Sequence, residues 1–168
     1  MPSLQIQPVD FALPEPTCEF LFLLDHYMRG PTGRGQAMDD GLRARLPAEL
    51  AARPNVLCFI AHWVDPTGRH PVGLVNCVEG FSTFAGRPLL NIHDIVVHED
   101  WRRRGIARAL LAHVEGIARQ RGCCKLTLEV LEGNTGAHQA YLNFGFVGYE
   151  LDPALGKALF LEKKLPGL

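Results

Sequence analysis

The chain has 168 residues, of which 47% are apolar and 21% charged, with a formal net charge of −1. That composition fits one soluble domain, read here as residues 1–168, large enough to bury a core without metal or disulfide staples. The charge excludes a global field directed at nucleic acid or an anionic membrane, so any anion site has to be local.

In chain order, Leu4–Val9 alternate as a half-buried strand does. "PEPTCEFLFLLDHYMRG" predicts a helix with Phe20, Leu23, Leu24 and Tyr27 on one face, Thr17 as its N-cap and Gly30 as its stop. "GPTGRG" is a loop, and "QAMDDGLRARLPAEL" predicts a second helix broken by Pro47. "VLCFIAHWV" and "PVGLVNCVEGF" form a hairpin around "DPTGRH", and "LLNIHDIVV" adds a third antiparallel strand. A long helix over Arg103–Arg121 comes next, then a strand "CKLTLEVL", a helix through Tyr141, and two closing strands, "FVGYEL" and "KALFLEKKL". The order describes one mixed α/β (α+β) domain. No apolar run approaches the ~18 residues of a membrane span. The start, "MPSLQIQPVDFALP", lacks the pattern of a secretory leader. Five cysteines, Cys18, Cys58, Cys77, Cys123 and Cys124, show no CxxC spacing. They read as reduced, mostly buried thiols of a cytoplasmic protein, with no metal site.

The informative stretch is "DIVVHEDWRRRGIARALL", where a strand runs into the long helix through three arginines and a glycine. A helix start presents unpaired N–H groups and about +0.5 of dipole charge, which suits a phosphate. Arg102, Arg103 and Arg104 add guanidinium groups that pair bidentately with phosphate oxygens. Gly105 and Ala107 keep the first turn open to a ligand. Cations at a helix N-terminus are otherwise unfavourable, so the pattern reads as a pyrophosphate cradle. GxGxxG after a strand and GxxxxGK[ST] are both absent, which excludes the Rossmann and P-loop versions.

"VVHEDWRRRGIARALL" resembles the (R/Q)xxGx(G/A) signature of the GNAT N-acetyltransferases, with Arg102, Gly105 and Ala107 at the three fixed positions. The resemblance continues through "LTLEVLEGNTGAHQAYLNFGF", which is similar to the family's next strand, its loop asparagine and its YxxxGF motif. It implies a central, mostly antiparallel sheet of six to seven strands, helices on both faces, and splayed fourth and fifth strands. It also implies acetyl-coenzyme A as donor. Ile95 and Val97 would pair with pantetheine, amides from Arg103 to Arg108, Ile106 among them, would hold pyrophosphate, and Asn134 would bind the cofactor arm.

Acetyl transfer needs a neutral amine, an N–H donor for the oxyanion and a proton for the leaving thiolate. By resemblance, Tyr141 is the acid and the Ile95 N–H the oxyanion donor. His93 and Asp94 occupy a position where polyamine and diamine acetyltransferases carry Glu-Asp. Alternation places them on opposite faces of the strand. His93 is the candidate base, since imidazole titrates near neutral pH, against a histidine hydrogen-bonded into the sheet. Asp94 either attracts a cationic amine or caps backbone. Among the other acidic residues, Asp25, Asp39, Asp40 and Glu79 could also attract an amine. His113 and Arg119 are expected on the exposed face of the long helix. The stretch Gly80–Val97 resembles small-amine acetyltransferases best, which favours a small amine or polyamine as partner. Amino acids, aminoglycosides and protein amines stay open, as does a coenzyme-binding sensor without turnover. A nucleic-acid role does not suit so short a basic cluster. The apolar run "KALFLEKKL", as a terminal edge strand, suggests a homodimer.

Overall fold

The structure, a computed structural model, describes residues 1–150, 152, 154, 156 and 158–165. Its elements are β1 (Ser3–Pro8), α1 (Pro14–Arg29), α2 (Asp40–Ala51), β2 (Val56–Asp65), β3 (Gly68–Ser82), β4 (Arg87–Val97), α3 (Ile106–Gln120), β5 (Leu126–Leu128) and α4 (Thr135–Phe144). They build a five-stranded sheet in the order β1-β2-β3-β4-β5. The β1–β2, β2–β3 and β3–β4 pairs are antiparallel, and β4–β5 is parallel.

The apolar runs of β2 and β3 are continuous because both sheet faces are covered. Alternation turns Cys58, Ile60 and Leu74 toward α1, where Phe20, Leu23 and Leu24 meet them. Phe59, Ala61 and Val75 turn the other way, onto Leu110, Leu111 and Val114 of α3. Each fully buried Leu or Phe among these contributes about 1.5–3 kcal/mol of transfer free energy. Close approach of α3 depends on Gly73. A Cβ there would lie 2.8 Å from the Val96 carbonyl and 3.3 Å from Leu110 Cδ1. The start of α3 is therefore pressed onto the centre of the sheet.

Several expectations are corrected. The six- to seven-stranded sheet has five strands among the described residues. Neither closing strand forms: 146–150 and 158–165 are not in a ladder, while Leu151 and Lys157 lie outside the described residues. The expected strand over 124–131 shortens to Leu126–Leu128, because only that piece pairs with β4. Helix α1 starts at Pro14, not after Thr17, since proline is preorganised for the first helical turn. The Thr17 hydroxyl instead donates back to the Leu13 carbonyl at 2.8 Å. Helix α2 runs unbroken through Pro47. Proline removes one amide bond in mid-helix, and Asp39 secures the start by accepting the Leu42 N–H at 2.8 Å. Of the cysteines, Cys58 and Cys77 are buried, Cys123 is half-buried, and Cys18 and Cys124 are exposed; all are free thiols. His113 is half-buried rather than exposed, packed edge-on against Phe59 at 4.8 Å, and burial pushes its pKa down. Arg119 is exposed, as expected.

Candidate active site

The centre of the site is an irregularity in β4. Asn76 pairs with Asp94 while its neighbour Cys77 pairs with Ile92, so His93 is an extra residue bulged out of the ladder. Strict alternation, on which the opposite-face expectation for His93 and Asp94 rested, is interrupted at this step. The pairing of β4 with β5 covers Leu90, Asn91 and Ile92 and stops there. Bulge and splay thus coincide at His93, whose side chain is exposed.

The bulge also decides which amides face the opening. Before it, the Leu90 N–H donates outward to the Lys125 carbonyl at 3.1 Å. After it, the His98 N–H donates inward to the Val72 carbonyl at 2.9 Å. Antiparallel neighbours alternate the direction of their N–H groups. Counting back from His98 therefore turns the Val96 and Asp94 amides toward β3, and those of Val97 and Ile95 toward the parted edge. One inserted residue has switched the outward amides from even to odd positions.

Beyond β4 the chain makes a short 3-10 turn, Glu99–Trp101, and enters α3 only at Ile106. The helix start expected at Arg103 is corrected by three residues. Arg103 (φ 60°) and Gly105 (φ 78°) both take the left-handed conformation, which a helix cannot continue. The three arginines are consequently treated differently. Arg102 folds back, its Nε donating to the Val97 carbonyl at 3.3 Å. The Arg104 guanidinium lies 4.7 Å over the Trp101 ring, which is itself stacked on His70. Arg103 carries the backbone strain with an exposed side chain. Helix α3 has no side-chain cap, so its first N–H groups are left to a ligand or to water. A Cβ at Gly105 would meet nothing within 4 Å, so its surroundings are open space. Ile106 buries its side chain in the core, Ala107 is half-buried and Arg108 is exposed.

On the α1 face, the register lines up Cys58, Asn76 and Asp94 in one cross-strand row. The Asn76 Nδ2 donates to Asp94 Oδ2 at 3.0 Å. Burial, then the Asp94 charge, push the Tyr27 phenol above its ordinary value. Burial, then Tyr27, do the same for Tyr141. Tyr27 thus stands between the two influences, feeling the Asp94 charge and in turn acting on Tyr141. Burial and Asp94 also raise the Cys58 thiol to about 12, so it remains protonated. Tyr141 packs edge-on to Phe146 at 6.0 Å. Asn134 caps α4, its side-chain oxygen accepting the Ala137 N–H at 3.4 Å.

Tyr27 and Asn76 were missed by sequence reasoning. Tyr27 read as part of an apolar helix face. Asn76 was visible as a lone amide in the buried run "VGLVNCV", but only the strand register shows what it faces. The proposed acidic attractors are largely committed elsewhere. Asp25 accepts the Met38 N–H at 2.6 Å and pairs with Arg29 and Arg43. Burial opposes its ionisation, but these partners prevail and its pKa is lowered. Asp39 caps α2, and Glu79 pairs with Arg121 at 2.8 Å.

The acetyltransferase (GNAT) family profile matches residues 21–146. The chain belongs to that family. It is 44% identical over 87 residues to a streptothricin acetyltransferase of Streptomyces lavendulae, a match covering 50% of this chain and 46% of that protein. It is 32% identical over 100 residues to the thialysine N-epsilon-acetyltransferase of Bos taurus, covering 60% and 53% respectively. The chain thus spans about half the length of these curated relatives. Among solved structures, an aminoglycoside acetyltransferase from an uncultured soil metagenomic sample superposes with a TM-score of 0.74 at 17% identity, over 96% of each chain. A ribosomal-protein-alanine N-acetyltransferase from Brucella melitensis gives 0.65 at 21% identity, over 89% of this chain and 99% of that one.

Proposed function

We propose that the protein moves an acetyl group from acetyl-coenzyme A to the primary amine of a small molecule, directly within a ternary complex. The observation that carries this reading is the continuity of the outward β4 amides with the uncapped, glycine-opened start of α3. A linear ligand with an amide-rich arm and a diphosphate matches that run in both shape and charge, so the residues present fit the coenzyme.

When bound, acetyl-coenzyme A supplies the thioester and hence the acetyl group. Ile95 and Val97 hold the pantetheine arm through their backbone, and Asn134 binds it from the α4 side. The amides of Ile106, Ala107 and Arg108 hold the pyrophosphate, with guanidinium charge from Arg102, Arg103 and Arg104. The Ile95 N–H faces the carbonyl oxygen as its charge grows. Tyr141, kept protonated by its burial, donates to the departing sulfur. Asp94 draws the amine in, and His93, open to solvent at the splay, accepts the proton that the nitrogen gives up.

The activities for which the relatives are named, on streptothricin and on thialysine, support a small-molecule acceptor. Polyamines and diamines remain the preferred class from the residues of β4, with aminoglycosides next. A thiol-release assay with acetyl-coenzyme A against polyamines, amino acids, aminoglycosides and a lysine peptide tests the reading. Turnover on one class, sharply reduced in Tyr141→Phe, is the expected result; coenzyme binding without turnover on any of them rejects it. Exposed Leu159, Phe160 and Leu161 support pairing of two copies through the C-terminal segment. A concentration-independent monomer mass in light scattering refutes that pairing.

A further inference from the structure

Asn76 is 7% exposed, and while its Nδ2 donates to Asp94, its Oδ1 is buried without a hydrogen-bond partner among the described residues. An orphaned buried acceptor is costly, because it has given up water without gaining a donor. Its place is informative. In the row Cys58–Asn76–Asp94, the middle residue spends its only donor group on the carboxylate. What remains is an amide oxygen beside a carboxylate, acceptors with no donor between them. A water could serve one of them. A group with several N–H bonds and a positive charge serves both, and the Asp94 charge selects it over a neutral donor.

We infer that Asn76 Oδ1 and the Asp94 carboxylate together bind the acceptor as its ammonium ion, making Asn76 a specificity residue for cationic primary amines. The inference rests on the acetyl-transfer reading for what happens next, but not for the binding itself. Oδ1 is closed from solvent on the face that α1 covers, so side chains around the row turn aside to admit the ammonium. Binding then consumes the buried unpaired acceptor of the row. Secondary and tertiary amines offer fewer N–H bonds and bind less well. Alcohols, lacking charge, do not compete.

The test uses the full chain without coenzyme. Propylamine is titrated at neutral pH, with 1-propanol as its neutral counterpart, while the side-chain NH2 resonances of Asn76 are followed by NMR. The expected result is a saturable shift with propylamine, absent with 1-propanol and lost in Asp94→Asn. No shift, or an equal shift with 1-propanol, overturns the inference, and this arm needs no variant at Asn76. In turnover, Asn76→Leu should raise the KM of the amine by about tenfold or more, the loss expected for a hydrogen bond to a charged group, with the KM of acetyl-coenzyme A unchanged. Amine turnover unaffected by Asn76→Leu overturns the inference and leaves the acetyl-transfer reading standing. A propylamine shift in a protein that acetylates nothing supports the ammonium site and removes that reading instead.

Discussion

Asn76 and Asp94 face each other across the antiparallel β3–β4 pair, one residue from a bulge, and are joined by a 3.0 Å hydrogen bond from amide to carboxylate. The bond holds the carboxylate on the α1 face, where its charge acts on Tyr27, rather than leaving it free to rotate. Removing the charge while keeping the shape separates attraction from support. Asp94→Asn should lower kcat/KM for amines on the order of 10²-fold or more, with coenzyme affinity and melting temperature nearly unchanged. Steady-state kinetics with calorimetry checks both, and a retained kcat/KM removes Asp94 from the acceptor site.

His93 is exposed at the point where β4 and β5 part. If it accepts the amine proton, His93→Ala should lower kcat on the order of 10²-fold, with partial recovery on adding free imidazole. Near-wild-type kcat/KM in the variant assigns the proton to water or to Asp94.

Tyr141 is raised above its ordinary value of 10.0, first by burial and then by Tyr27. A raised phenol keeps its proton to higher pH, so the acid remains charged with its proton throughout the range below 10.0. With saturating amine, kcat should show no alkaline decline from this group below that value. A decline beginning near neutrality, lost in Tyr141→Phe, contradicts the assignment.

Arg103 holds a left-handed conformation at φ 60° that favours glycine. Arg103→Gly removes the charge and keeps the backbone path. Stability should hold or rise slightly, since the left-handed conformation costs a side-chain-bearing residue about 1–2 kcal/mol. The Kd of acetyl-coenzyme A should rise and depend less on salt. An unchanged Kd shows that the residue serves through its amide alone.

His26 and His113 both have pKa values lowered from 6.5 by burial, His26 also by His98, which stacks on it at 4.3 Å. Each binds a proton less readily folded than unfolded, so the stability they favour is present above 6.5 and is lost as pH falls through the lower folded values. Thermal melts taken below that point should drop in temperature. Replacing His113 by leucine should flatten the drop; an unaltered slope in both His113→Leu and His26→Leu places the acid sensitivity elsewhere.

The sequence by itself determined the order of elements through α4 and the basic, glycine-bearing cluster at the β4–α3 junction. These are legible because apolar periodicity, glycine placement and a basic cluster are local properties. Tertiary structure decided the rest. Which amides face the opening depends on the bulge at His93, and a bulge exists only against a partner strand. The pairing of Asn76 with Asp94, 18 residues apart, is likewise a product of register. Tyr27 read as core until α1 was laid over that row, because a helical aromatic looks the same in sequence whether it meets leucine or a carboxylate. The two closing strands differ for the complementary reason: among the described residues, 146–150 and 158–165 join no ladder, and alternation by itself supplies an edge without the partner that a ladder needs.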